Sequence, residues 1–243
     1  RLRRGRAKPL HAGHPWVFAD ALAPHSGPAP QPGDEVLVVD AQGQALGRGH
    51  YSPTSAIAVR LLTRGDQSVT EELLASRLDQ ALKSWAGRPI RQRDGGATAS
   101  GARYWLGWPH HGNRLVHSEG DGLGGLIVDV YGPFLCLQFG TVGMFRRREG
   151  ILDLLEQRLR PRGILDRSDA HMRQREGLPA PQVGPLRGEQ PEGPVEVFED
   201  GIPLQVDLRP GHSQKTGLYL DQRENRAAFA SYAWGRDVLD VFC

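Results

Sequence analysis

The chain predicts an α+β fold passing into α/β: a small β-barrel, a mixed α/β segment, and the opening of a helix-covered parallel sheet. Three observations carry that expectation. Short strand-like runs recur at near-regular spacing through the first seventy residues, the pattern of a compact barrel. Two helical faces then alternate with apolar runs in the middle of the chain. Finally a hairpin, a glycine-rich loop, a helix and an apolar run follow one another, the order of a strand–helix–strand architecture. The expected units are 1–68, 69–190 and 191–243.

In the first unit, His14-Pro15-Trp16-Val17-Phe18 is a short aromatic segment and the proline-dense stretch 23–33 is a loop. Glu35–Val39 reads as a strand, Ala41–Gln44 as a turn, and 45–51 and 56–62 as two further strands. Ser68 and Glu71 are spaced as a capping box opening a helix. On it Leu74, Leu78, Ala81 and Trp85 recur on one face, and Gly87 and Pro89 end it. Residues 92–112 read as an irregular insertion. Runs at 123–130 and 134–139 flank Tyr131-Gly132-Pro133 as a hairpin. Ile151, Leu152, Leu155 and Leu159 mark a helix stopped by Pro161, and Gly163-Ile164-Leu165 begins a strand. Residues 171–194, rich in Pro and Gly without periodicity, read as a linker or surface loop.

Residues 195–208 alternate on both arms of Asp200-Gly201, a two-residue hairpin signal, and Pro203 places the second arm at a sheet edge. After the loop 211–217, Asp221 is spaced to cap a helix carrying Ala227, Ala228 and Tyr232, with Gly235 as its stop. Val238–Phe242 reads as a buried strand, apolar on both faces. Such a strand needs a domain around it, so the sequence reads as truncated at that domain's start.

Composition excludes several classes. At 243 residues with 39% hydrophobic and 24% charged residues, the chain can bury a core and is not a disordered polypeptide. No run approaches the ~20 apolar residues of a membrane helix. Two cysteines exclude a disulfide scaffold and suit a reducing cytoplasm. The net charge is only +2, yet Arg1, Arg3, Arg4, Arg6 and Lys8 fall within eight residues free of acids. Arg146, Arg147 and Arg148 form a second cluster. Both suit phosphate contact, against the alternative of a solvated terminus.

Four stretches are distinctive together: His14–Phe18, Arg114–Gly132, Gln214–Arg223 and Val238–Cys243. In this order they resemble the bacterial class I S-adenosylmethionine-dependent ribosomal RNA large-subunit methyltransferases of the RlmI type, which make 5-methylcytosine. The resemblance implies an N-terminal PUA-like barrel, a small α/β middle domain and a Rossmann-like methyltransferase domain that begins near residue 191. It implies ribosomal RNA as partner, S-adenosylmethionine as cofactor and no metal. The catalytic cysteine and the glycine-rich cofactor turn are expected downstream of Cys243, so this stretch alone would hold an incomplete cofactor site and be inactive. A homodimer stays open. The sequence departs from the family pattern around 97–112 and at Gly211-His212-Ser213.

On that resemblance the cofactor side is expected to hold Gln214, Lys215, Thr216, Tyr219, Asp221, Arg223, Asp240 and Phe242. Lys215 is one of 3 lysines against 27 arginines, a compact cation for a carboxylate or phosphate. The RNA side is expected to hold Arg3, Arg4, Arg6, Lys8, His14 and Trp16. His117, Glu119 and Asp121 alternate, but one histidine among glycines makes a weak metal pattern. Cys136 reads as a small core hydrophobe, and Cys243 as lying on the wrong side of the methyl donor to attack a base. The rival from another class is a non-catalytic RNA-binding adaptor.

Overall fold

A computed structural model describes residues 1–24, 27–86, 112–211, 216–239 and 241. The first unit opens with helix α1 (Lys8–His11) and strand β1 (Trp16–Phe18), followed by β2 (Glu35–Val39), β3 (Ala45–Tyr51) and β4 (Ile57–Leu61). These four strands form an antiparallel sheet in the order β1-β4-β3-β2. Its two edges meet at Leu2. The Leu2 N–H donates to Val39 O on β2 at 2.8 Å, while Arg3 N–H donates to Ala21 O just beyond β1 at 2.9 Å. The Leu2 side chain is buried with Leu10, Val17, Val38, Val59 and Leu61. The first residues therefore close the barrel through their backbone, while their cations stay exposed.

The second unit holds α2 (Glu71–Ala86), β5 (Gly112–His117), β6 (Leu126–Tyr131), β7 (Phe134–Phe139), α3 (Val142–Arg146), α4 (Arg148–Leu159), β8 (Gly163–Asp166), α5 (Ala170–Arg175) and β9 (Pro185–Gly188). The strands make one five-stranded sheet in chain order, with β7 and β8 its parallel pair, joined through α3 and α4. Period-two alternation sends β7 to two cores. Leu135, Leu137 and Phe139 pack with Leu74, Leu78, Ile151, Leu152 and Leu155 of α2 and α4. Phe134 and Cys136 face the other way, onto Val195, Val197, Val206 and Leu208 of the hairpin β10 (Val195–Glu199) and β11 (Ile202–Val206).

Several expectations need correction. Residues 171–194 are not a linker: they hold α5 and the edge strand β9, which pairs with β8. Helix α5 is short and β9 has only four residues, so neither leaves a readable period. The cap of α2 is Thr70 rather than Ser68, since the Leu73 N–H donates to the Thr70 hydroxyl at 3.2 Å. Asp221 does not cap α6 (Arg223–Ala233); it lies in a 3-10 turn, and Gln222 precedes the helix without a side-chain cap. Val238 and Leu239 form no strand, and Val238, Leu239 and Val241 are exposed. A β-run has no backbone partners of its own, and no described strand lies beside this one. The 92–112 insertion, apart from Gly112, falls outside the described residues, as do Gly87 and Pro89. By contrast Asp200 and Gly201 take φ of 51° and 81°, the primed turn that their identity predicts.

The barrel and the sheet meet at a polar and steric joint. The Trp16 indole donates to Glu119 at 2.9 Å, and Arg60 of β4 reaches Glu119 at 3.6 Å and Glu176 at 3.2 Å. His50 of β3 lies against Gly143 of α3 so closely that a Cβ there would stand 2.2 Å from the imidazole. Gly143→Ala should therefore destabilise the protein by roughly 1–3 kcal/mol through overpacking, read from urea unfolding. A wild-type midpoint would show that the joint can open to admit a methyl group.

Candidate functional site

The loop expected on the cofactor side enters the hairpin face of the sheet at Thr216. Of its expected residues, Gln214, Lys215, Asp240 and Phe242 lie outside the described residues. The others separate into anchors and exposed groups. Thr216 is fully buried, and its hydroxyl donates to Asp129 Oδ2 at 2.6 Å. Arg223 donates to Asn113 Oδ1 at 2.9 Å and to Gly112 O at 2.6 Å, both on β5, and lies 3.5 Å from Glu199. Both side chains bond other parts of the protein, Thr216 to β6 and Arg223 to β5. Tyr219 and Asp221 are exposed between them.

The anchor beneath Thr216 is a network that the sequence reading did not assign. Asp129 of β6 is fully buried and receives Arg114 Nε at 2.8 Å and Nη2 at 3.0 Å. The hydrogen bonds that Arg114 donates to Asp129 raise its pKa above the ordinary value, against burial. The Tyr131 hydroxyl lies 3.2 Å from the Thr216 hydroxyl and accepts the Leu218 N–H at 2.9 Å. Burial pushes this phenol up to about 12, so it stays protonated at neutral pH. Gly217 permits the approach, because a Cβ there would stand 2.8 Å from the Tyr131 ring. A signal existed: Asp129 is a charge embedded in the otherwise apolar run Leu126–Tyr131.

On the barrel, Arg3, Arg4, Arg6 and Lys8 are exposed on a folded segment. Arg3 donates to Leu22 O at 2.8 Å, and Arg6 pairs with Asp20 at 3.1 Å. His14 is exposed, and its Nδ1 accepts the Trp16 N–H at 3.2 Å. The Trp16 indole N–H is committed to Glu119 in the joint, which limits that residue to its ring faces. The second basic cluster is largely structural. Arg146 pairs with Asp34 at 3.2 Å, Arg147 donates to Gly143 O at 3.2 Å, and Arg148 lies over the Phe145 ring at 4.5 Å.

Glu119 does not join His117 and Asp121 around a common point. Asp121 accepts the His117 N–H at 2.6 Å, whereas Glu119 turns to Trp16 and Arg60. Burial pulls the Glu119 pKa up, but hydrogen bonds from Ser118 and Trp16 and the charge of Arg60 hold it below the usual carboxylate range. Among the described residues no group of three or more His, Cys, Asp or Glu side chains could hold a metal ion. Nor is any described helix long and apolar enough to cross a membrane. Cys136 is buried in the sheet, where burial drives its thiol pKa up, beyond the reach of neutral-pH thiolate chemistry.

The barrel and the two-faced sheet define the class to which this fold compares. Residues 1–64 match the family model of a PUA-like domain. A solved structure from Streptococcus mutans, described as a SAM-dependent methyltransferase, superposes with a TM-score of 0.70 at 16% identity, covering 96% of this chain and 54% of that one. A second, described as a methyltransferase complexed with SAH, gives 0.66 at 19% identity over 91% of this chain and 50% of its own. Residues 1–64 thus form a PUA-like unit, and the fold of nearly the whole chain is shared with about half of each of these two structures.

The particular relatives are nearer in sequence. The chain is 38% identical over 244 residues to the ribosomal RNA large subunit methyltransferase I of Shewanella frigidimarina, covering 100% of this chain and 57% of that protein. The protein of the same name from Yersinia pseudotuberculosis is 38% identical, over 99% and 56%. The chain therefore spans a little over half the length of these curated relatives.

Proposed function

We propose that this chain is the RNA-binding and cofactor-approaching part of an S-adenosylmethionine-dependent methyltransferase that acts on large-subunit ribosomal RNA and forms 5-methylcytosine. The observation that carries the reading is the co-linear 38% identity, from end to end, with proteins of that name. The barrel adds a physical reason. Its closing segment holds four cations exposed on an ordered scaffold, so they can meet phosphates without first losing the entropy of a free tail.

The donor set fits the cofactor in part. Tyr219 offers an aromatic ring and Asp221 a carboxylate, both exposed, and these are the two described residues that would hold a cationic, adenine-bearing molecule. When bound, S-adenosylmethionine supplies an electrophilic methyl group. Thr216 and Arg223 hold the segment in place, and the barrel cations orient the RNA. The target base must leave its stack to reach such a site.

The test is methyl transfer by the protein as expressed from its gene. Radiolabelled methyl should pass from S-adenosylmethionine to 23S ribosomal RNA and appear as 5-methylcytidine after digestion. Label in another nucleoside would correct the specificity. RNA binding without any transfer would favour the non-catalytic adaptor. For the RNA side, replacing Arg3, Arg4, Arg6 and Lys8 with Ala should flatten the log–log salt dependence of RNA affinity by about 0.7–0.9 per lost phosphate contact. An unchanged slope would remove the arm from the interface.

A further inference from the structure

The network beneath Thr216 has one polarity, and that polarity says what it is for. Thr216 has a single hydroxyl proton, and the 2.6 Å contact to Asp129 takes it. The Tyr131 proton is then left for the Thr216 oxygen at 3.2 Å or Leu218 O at 3.5 Å, while the Tyr131 oxygen accepts from Leu218 N–H. Donors thus run from the Leu218 backbone through Tyr131 and Thr216 to one carboxylate, which Arg114 holds from the other side. Chained donors that end on a buried charge reinforce one another. Asp129 could be satisfied by the Arg114 fork alone. Instead its second oxygen reaches a segment 87 residues further along.

A second anchor lies just downstream. Arg223 is tied to Gly112 and Asn113, and Arg226 to Glu199 by two bonds of 2.6 Å. Those bonds hold the Glu199 carboxyl below its usual range. The chain from Thr216 to Arg226 is therefore pinned at both ends, and Tyr219 and Asp221 are exposed between the pins, together with Gln222, Glu224 and Asn225. A segment held this way meets a ligand without having to order itself first.

We infer that Asp129, acting through Thr216 and supported by Arg114 and Tyr131, is a positioning residue that holds the Tyr219–Asp221 segment in its cofactor-receiving conformation. This rests on the reading that the segment meets S-adenosylmethionine. The middle sheet is then more than a spacer between barrel and methyltransferase: its β5 and β6 strands set the geometry of the cofactor side.

The experiment compares four variants of the protein as expressed from its gene: Thr216→Val, Thr216→Ser, Tyr131→Phe and Tyr219→Ala. Calorimetric affinity for S-adenosylmethionine, KM for it, kcat and RNA affinity are read for each. Thr216→Val keeps the shape and loses the hydroxyl, and should raise Kd and KM for S-adenosylmethionine about tenfold, the worth of one hydrogen bond to a charged group. RNA affinity and kcat should stay close to wild type. Thr216→Ser restores the hydroxyl and should recover most of the affinity, which general destabilisation at this site would not allow. Tyr131→Phe removes one donor from the chain and should give a smaller loss in the same direction, and it serves where Thr216→Val does not fold. If Tyr219→Ala weakens cofactor binding while Thr216→Val and Tyr131→Phe do not, the positioning role is overturned and the cofactor reading stands. If Tyr219→Ala is also neutral, the cofactor reading falls and takes the positioning role with it.

Discussion

Arg60→Met should destabilise the protein by about 3 kcal/mol, the lower end of what is lost when one member of a buried ion pair is removed. The reason lies in what remains. Glu176 keeps only 3% of its side-chain surface, and Arg60 is its cation at 3.2 Å, so truncation leaves a carboxylate that water barely reaches. Its other oxygen accepts the Val142 N–H at 3.3 Å, which cannot neutralise a charge. The lower end is the better figure because Arg60 retains 16% exposure and some solvent can follow the cut. Combining Arg60→Met with Glu176→Gln should recover part of the loss, since the charge and the desolvation cost leave together. Denaturant unfolding of the two singles and the double measures this. A single variant within about 0.5 kcal/mol of wild type, the scale of ordinary surface substitutions, would mean that the joint is held by packing alone. The N-terminal cations proposed to meet RNA lie outside the joint, so on that proposal RNA affinity should survive in Arg60→Met.

Acidification should weaken the protein from pH 6.5 downward, earlier than carboxylate protonation alone would. His50 is buried between β3 and α3, and burial, aided by the charge of Arg147, lowers its pKa from 6.5 to about 3. Its cross-strand neighbours Glu35 and Arg60 do not reverse this, because Glu35 is engaged by Arg48 at 3.3 Å and by the Val69 N–H at 3.1 Å, and Arg60 by Glu119 and Glu176. Between pH 6.5 and about 3 the unfolded chain binds a proton on this residue and the folded chain does not. Stability therefore rises with pH across that window and falls on acidification, by about 1.4 kcal/mol per pH unit at most. The interval from pH 6.5 to 5 isolates His50, since the paired carboxylates are still ionised there. His50→Leu should flatten that interval in a series of urea titrations. An equal slope in wild type and His50→Leu would assign the acid sensitivity elsewhere.

The barrel strands were legible because each is a short run set off by loop residues: Asp34 and Asp40 flank β2, and β3 spans the same Ala45–Tyr51 that the sequence predicts. The hairpin at Asp200-Gly201 was legible for a local reason, since two residues with positive φ are encoded by the residues themselves. Capping was less so. Ser68, Thr70 and Asp221 are all competent caps, and which one is used depends on where the chain enters the helix. Helix α5 and strand β9 were not legible at all, because what places them is the free edge of β8 and the buried Arg173, which pairs with Asp166 at 2.5 Å.

The same division runs through the candidate site. Exposed charge is written locally, so the cations of the first eight residues could be placed on the surface from the sequence. The protein partners of Thr216 and Arg223 were not legible, because a side chain's partner cannot be read from its own neighbourhood. Asp129 and Thr216 stand 87 residues apart, and Trp16 and Glu119 stand 103 apart. By itself the sequence determined the order of units, the strand alternation and the positions of exposed charge, all set by local periodicity and backbone preference. Only the tertiary structure decided which polar groups are spent holding the protein together, because burial makes an unpaired charge costly and the fold alone determines which partner lies within reach.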